Sequence, residues 1–134
     1  MANSTTDPFD LKPHHCGIYV PDLESSISWY HDKLDFTVHK RMTIPGLGKI
    51  AFIKHGDFFI ELFEVAGTMP KREDAKTYGT KHMAFVVRNF CQFMETIKQR
   101  GVEIIGEGKQ GNLGVAFIKD NVGTPIEIVE IGAP

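Results

Sequence analysis

Four residues of this chain have side chains that can ligate a metal or move a proton, and they stand where such side chains are costly: His15, Glu61, His82 and Glu127. Glu61 lies in the run Phe58-Phe59-Ile60-Glu61-Leu62-Phe63, and Glu127 in Pro125-Ile126-Glu127-Ile128-Val129. In an extended strand residues two apart share a face. Glu61 therefore goes with Phe59 and Phe63, and Glu127 with Val129 and Ile131. An unpaired carboxylate on such a face costs several kcal/mol or takes up a proton. The same costly choice is made twice, and a histidine opens the first apolar run of each half, in His15-Cys16-Gly17-Ile18-Tyr19-Val20 and His82-Met83-Ala84-Phe85-Val86-Val87. One ligand shared by all four groups accounts for them, and a divalent cation is the simplest. Two imidazoles and two carboxylates suit Zn, Ni, Co, Mn or Fe and leave coordination positions open to water or substrate. With no thiolate in the set, a closed structural zinc site is not expected.

The elements that must position these residues are written twice. Ala51-Phe52-Ile53-Lys54 recurs as Ala116-Phe117-Ile118-Lys119, and each copy runs through a glycine, Gly56 or Gly123, into the strand that holds the glutamate. His82 follows His15 by 67 positions and Glu127 follows Glu61 by 66. Each half starts with a β-branched and aromatic run that reads as a strand. A helix follows: Asp22 is the candidate N-cap of the first, with Leu23, Ile27, Tyr30 and Leu34 at helical spacing. Asn89, with Gln92 three residues on, caps the second, whose stripe is Phe90, Phe93, Met94 and Ile97 and whose end is Gly101. Three strands complete each half, near 36–42, 49–54 and 58–65, and near 103–106, 114–119 and 125–131. A Gly-rich loop is expected over 106–114. The fold class is α+β: two tandem βαβββ modules, with helices on one face of each curved mixed sheet and the other face turned to a metal cleft. Residues 1–12 read as a loose leader, and 13–132 as one domain made of module one (13–66), a connector (67–81) and module two (82–132).

Other residues have blander readings. His14, His31, His39 and His55 have no counterpart in the other half and read as surface or structural residues. Cys16, opposite in face to His15, reads as core, as do Trp29, Tyr30, Phe90 and Phe93 on their helices. Glu64 and Glu130 fall on the strand faces opposite the two candidate glutamates and are expected in solvent or in salt bridges. Arg41 and Lys49 flank the turn Ile44-Pro45-Gly46-Leu47-Gly48, where they either meet an anion or are solvated hairpin charges.

Size and charge bound what else the chain can be. Its 134 residues, 42% hydrophobic, suffice for one buried core without cross-links. A net charge of -2 from scattered residues offers no basic stripe for nucleic acid. Cys16 and Cys91 are too few and too far apart for a disulfide framework or a metal knuckle, which fits a reducing cytoplasm. The first residues lack a charged and apolar leader sequence, and no stretch holds the roughly 18 apolar residues of a membrane span.

With those residues in place, the chain resembles the vicinal-oxygen-chelate superfamily of glyoxalase I, bleomycin resistance proteins, methylmalonyl-CoA epimerase and extradiol dioxygenases. The resemblance covers nearly the whole chain. It rests on His15 ahead of Gly-Ile-Tyr-Val-Pro-Asp-Leu, on Ile60-Glu61-Leu62, on Lys81-His82-Met83-Ala84-Phe85-Val86-Val87 and on Gly123-Thr-Pro-Ile-Glu127. It implies that His15, Glu61, His82 and Glu127 are metal ligands. In short members it also implies a homodimer, in which His15 and Glu61 of one chain meet His82 and Glu127 of the other.

The ligand set is the one found in bacterial-type glyoxalase I, whereas the epimerase usually has glutamine at the second position and dioxygenases use three ligands. The resemblance thus implies a lyase or isomerase that transfers a proton through a metal-stabilised enediolate, with Glu127 as base and Glu61 as the other candidate. Glyoxalase I enzymes hold glutathione with an arginine four residues after the first ligand, an asparagine four after the second and an arginine four before the third. Tyr19, Val65 and Tyr78 stand there in this chain. The expected substrate is therefore a small oxygen-rich molecule other than a glutathione hemithioacetal. The alternatives are a small-molecule binding or resistance protein, an epimerase-like isomerase, and a dioxygenase, the last disfavoured by the fourth protein ligand.

Overall fold

Alternation of apolar residues along the strands sets which face of each sheet a helix can cover. The computed structural model describes residues 8–70 and 76–133. In module one β1 (His15–Tyr19) leads to α1 (Leu23–Leu34), β2 (Thr37–Ile44), β3 (Gly48–His55) and β4 (Phe58–Glu64). Module two repeats the order with β5 (Met83–Val87), α2 (Phe90–Gln99), β6 (Glu103–Gln110), β7 (Leu113–Lys119) and β8 (Pro125–Glu130). Parts of the expected leader and connector, residues 1–7 and 71–75, lie outside the described residues.

Each module forms a four-stranded mixed sheet, ordered β1-β4-β3-β2 and β5-β8-β7-β6. β1 runs parallel to β4 and β5 parallel to β8, while the other pairs are antiparallel. A parallel pair cannot be joined by a tight turn, so the chain must cross a face between β1 and β4, and the helix makes that crossing. The helix then covers the face holding Ala51, Ile53, Ile60 and Leu62 in module one, and Ala116, Ile118, Ile126 and Ile128 in module two, all fully buried. Leu23, Ile27 and Tyr30 of α1 and Phe90, Met94 and Ile97 of α2 complete one continuous core shared by both modules.

Local details follow the residues, with four departures. Asn89 caps α2 by accepting a hydrogen bond from the Gln92 N–H at 3.0 Å, and Gly101, at φ +77°, ends the helix. Asp22 occupies the first cap position, but its carboxylate takes the Ser25 hydroxyl. The orphan N–H of Leu23 instead donates to Glu64 Oε1 at 2.8 Å, and Glu130 Oε1 likewise accepts from the Gly114 N–H at 2.8 Å. Glu64 and Glu130 are thus half-buried braces for backbone rather than solvated strand-end charges. Arg41 is tied to Glu24 of α1 at 2.8 Å, which commits it to a surface ion pair. The stretch expected to be a Gly-rich loop is a hairpin: β6 runs on to Gln110, with Glu107 opposite Ala116 and Gly108 opposite Val115. Its exposed side chains carry no apolar alternation, so glycines there looked like a loop. Gly114 is needed for a different reason, since a Cβ there would sit 2.2 Å from the buried Phe90 ring.

The modules are joined by Tyr30. Its hydroxyl donates to Asp120 Oδ2 at 2.7 Å across the seam, while Asp120 Oδ1 accepts from the Val122 and Thr124 N–H groups of the β7–β8 turn. Arg100 adds bonds to the Lys33 carbonyl and the Asp35 carboxylate. Among the described residues, no helix is long and apolar enough to cross a membrane.

Tyr30→Phe strands a buried Asp120 oxygen, so we expect unfolding free energy to fall by about 1–3 kcal/mol, seen as a lower urea midpoint at unchanged slope. Burial, and then the Asp120 charge, hold the Tyr30 hydroxyl well above its ordinary range. The folded chain keeps a proton that the unfolded chain releases near pH ~10. Its contribution is intact below that pH and lost as pH rises beyond it, so the alkaline fall in stability should be smaller in Tyr30→Phe.

Candidate functional site

Because each helix covers one face, the opposite face of each sheet is where the costly side chains emerge. In the β1–β4 pair Glu61 lies beside Gly17, and in β5–β8 Glu127 lies beside Ala84. Both neighbours are small, which leaves space over the carboxylate for the histidine two residues earlier on the same face. His15 Nε2 lies 3.2 Å from Glu61 Oε1, and His82 Nε2 lies 3.0 Å from Glu127 Oε1. The four side chains are 36%, 17%, 22% and 20% exposed in the order His15, Glu61, His82, Glu127, so all are partly shielded yet reachable.

A third member recurs in each set. Phe52 pairs with Glu61 across β3–β4, and Phe117 with Glu127 across β7–β8. The His15 ring meets Phe52 edge to face at 5.5 Å, and the His82 ring meets Phe117 the same way at 5.3 Å. Each half-site is therefore a His–Glu–Phe triplet on the open face of its sheet. The sequence signal for the phenylalanines was the repeated Ala-Phe-Ile-Lys itself, in which alternation puts Phe on the face opposite the buried Ala and Ile.

The structure brings each histidine to its own glutamate but keeps the two pairs apart. Among the described residues no group of three or more His, Cys, Asp or Glu side chains is placed to hold a metal. The pairs stand on the sheet faces that the helices leave uncovered, one pair on each module. The donors suit a divalent ion in kind, and one buried atom in them is unspent: His82 Nδ1 has no hydrogen-bond partner among the described residues. Burial pushes the Cys16 thiol up from its ordinary range, which keeps it protonated on the covered face.

Two histidines read as bland from sequence belong to the surroundings of this site. His14 Nδ1 lies 2.8 Å from His15 Nδ1, and its ring stacks on Phe59 at 5.4 Å. His39, the extra residue of a β-bulge between Val38 and Lys40, meets Phe59 edge-on at 5.1 Å. The second module bulges at the matching place, between Ile104 and Gly106, with Ile105 as the extra residue.

His82 also helps line a cavity of about 480 Å³ between β1 and the approach to β5, with Tyr19, Lys81 and Asn121 among its other walls. That is within the size range of small-molecule pockets. A cavity of about 460 Å³ at the opposite seam, walled by Phe36, Phe58, Phe85 and Phe93, touches neither His–Glu pair.

Residues 12–128 match the family model of the Glyoxalase/Bleomycin resistance protein/Dioxygenase superfamily. No curated protein sequence matches the chain. Among solved structures it is similar to the glyoxalase family protein from Enterococcus faecalis, at 22% identity and a TM-score of 0.82 over 91% of this chain and 99% of that one. The trypanothione-dependent glyoxalase I of Leishmania major gives 25% identity and a TM-score of 0.72, over 90% of this chain and 87% of that one. TnmS3, an antibiotic-binding protein from Streptomyces, gives 16% and 0.71, over 91% and 97%.

Proposed function

The chain belongs to the glyoxalase/bleomycin resistance protein/dioxygenase superfamily, and from that premise we propose that it is a divalent-metal-dependent lyase or isomerase that moves a proton between adjacent carbons of a small oxygen-rich substrate. The observation that carries this reading is the duplicated half-site, a histidine Nε2 facing a glutamate Oε1 at 3.2 and 3.0 Å on the uncovered face of each sheet. His15 and Glu61 of one copy, with His82 and Glu127 of a second copy, would hold the ion. When bound, it supplies Lewis-acid stabilisation of the negative charge that develops on neighbouring oxygens as a carbon loses its proton.

The chain's own residues supply the rest. Glu127 takes the proton from the carbon and Glu61 is the second carboxylate able to exchange it, so the two can act in turn. Phe52 and Phe117 wall the carboxylates and limit water around them, which strengthens the local electrostatics. Tyr19, Val65 and Tyr78 stand where a glutathione-binding enzyme of this family has arginine, asparagine and arginine, so the substrate is an oxygen-rich molecule without the tripeptide. Sharing between two copies is supported by the separation of the pairs: among the described residues no group of three or more His, Cys, Asp or Glu side chains is placed to hold a metal. A second reading, a protein that sequesters a small molecule and returns it unchanged, draws support from the likeness to the Streptomyces antibiotic-binding protein.

Purified protein stripped of metal and reconstituted should take up about one divalent ion per chain, and Glu61→Ala and Glu127→Ala should each lose it. A wild-type protein that binds no ion above background overturns the metal reading. A second test reads the sharing between copies. A variant lacking His15 and Glu61, unfolded and refolded together with one lacking His82 and Glu127, should regain about a quarter of the wild-type sites, because half the dimers are mixed and each has one intact site. No recovery would place all four ligands on one chain. A bound ligand whose acidic carbon exchanges hydrogen with solvent supports the enzyme, and one recovered without exchange supports sequestration.

A further inference from the structure

The two half-sites match in their histidine, glutamate and phenylalanine but differ in what stands behind the histidine. In module one His14 Nδ1 lies 2.8 Å from His15 Nδ1. In module two the preceding residue is Lys81, whose ammonium lies over Phe117 at 6.0 Å, and His82 Nδ1 is buried with no partner among the described residues. A neutral imidazole carries one N–H and one bare nitrogen, so a close contact between two ring nitrogens holds one hydrogen. Which ring owns it decides what His15 offers to Glu61.

If His14 Nδ1–H donates to His15 Nδ1, then His15 carries its proton on Nε2, facing Glu61 Oε1 at 3.2 Å. That arrangement suits the metal-free protein. If His15 Nδ1–H donates to His14 Nδ1, then Nε2 presents a lone pair toward Glu61, which suits a cation between them and repels without one. The two arrangements interconvert in a balanced way. The proton on His15 Nε2 leaves to water, the proton between the rings passes from His14 Nδ1 to His15 Nδ1, and exposed His14 takes a proton from water on its Nε2. No net charge changes, and His15 Nδ1 is satisfied throughout.

We infer that His14 is a positioning residue that sets His15 in its metal-ligating tautomer, making module one the half-site that first captures the ion. This rests on the metal reading above. The stack on Phe59, itself flanked by His39, holds the His14 ring in place for the role. His82 Nδ1 has no such support among the described residues, so its half-site alone is the weaker ligand pair. Hydrogen-bond partners that orient a ligating histidine are typically worth 10- to 100-fold in metal affinity.

The test measures Zn²⁺ dissociation constants by chelator competition on the full-length protein, together with nitrogen-15 NMR assignment of the His15 tautomer with and without zinc. His14→Ala and His14→Phe should both weaken binding about 10- to 100-fold, the second keeping the ring on Phe59 while removing its nitrogen. His14→Gln, which returns an acceptor, should recover most of the loss, and Lys81→Ala should change little. The wild-type His15 proton should move from Nε2 to Nδ1 on zinc binding. His14→Phe that binds zinc like the wild type, or a His15 tautomer unaffected by His14 substitution, overturns the inference while leaving the metal site standing. A wild-type protein that binds no zinc overturns both.

Discussion

A four-stranded sheet has two faces, and in each module a single helix has to cross one of them to bring β1 alongside β4 in parallel. That crossing consumes the face bearing Ile60 and Leu62, or Ile126 and Ile128, and leaves the other without a covering element in its own module. Side chains that need access to a ligand can then stand on the second face without disturbing the core. The parity of the strand makes the division sharp. Glu61 and Glu64 are three residues apart, so one faces outward to His15 and the other turns back to brace the N–H of Leu23. Glu127 and Glu130 divide in the same way between His82 and the Gly114 N–H.

Packing the two covered faces into one core has a consequence for the site. The helices and the buried sheet faces of both modules form a continuous cluster, and the seam is fixed by Tyr30, whose bond to Asp120 spans the two halves of the chain. On each module the His–Glu pair stands on the sheet face that the helix leaves uncovered. The small residues beside the glutamates, Gly17 and Ala84, leave room over the carboxylates on that face.

Much of this was legible in the sequence because the physics that made it is periodic. Alternation of two assigned the faces of β4 and β8, helical spacing placed Leu23, Ile27 and Tyr30 inward, and the repeated Ala-Phe-Ile-Lys exposed the duplication. The family resemblance and the match over residues 12–128 agree with that reading. What periodicity cannot carry is partner choice. Nothing in the spacing of Glu64 says that its carboxylate will reach Leu23, nor in Asp22 that it will take Ser25 instead of a helix N–H. The hairpin of β6 and β7 departs from the expected loop for a related reason: exposed edge residues and glycines pair through backbone, which leaves no apolar pattern behind.

Two histidines outside the repeat, His14 and His39, say the most about the surroundings of the pairs. Both lack a counterpart in the other module and read from sequence as surface or structural residues, and both rings pack against Phe59. The repeat is kept in the His–Glu–Phe triplets of both modules. The groups behind them answer to separate surroundings. A bulge at the same place in both modules delivers an aromatic edge, His39, onto Phe59 in one and an aliphatic side chain, Ile105, in the other. Likewise the position ahead of the ligand histidine holds a hydrogen-bonding ring in one module and a cation over Phe117 in the other. Departures from the repeat therefore mark where the surroundings of the two pairs differ, and they stand out because the repeat is kept at His15, Phe52, Glu61, His82, Phe117 and Glu127.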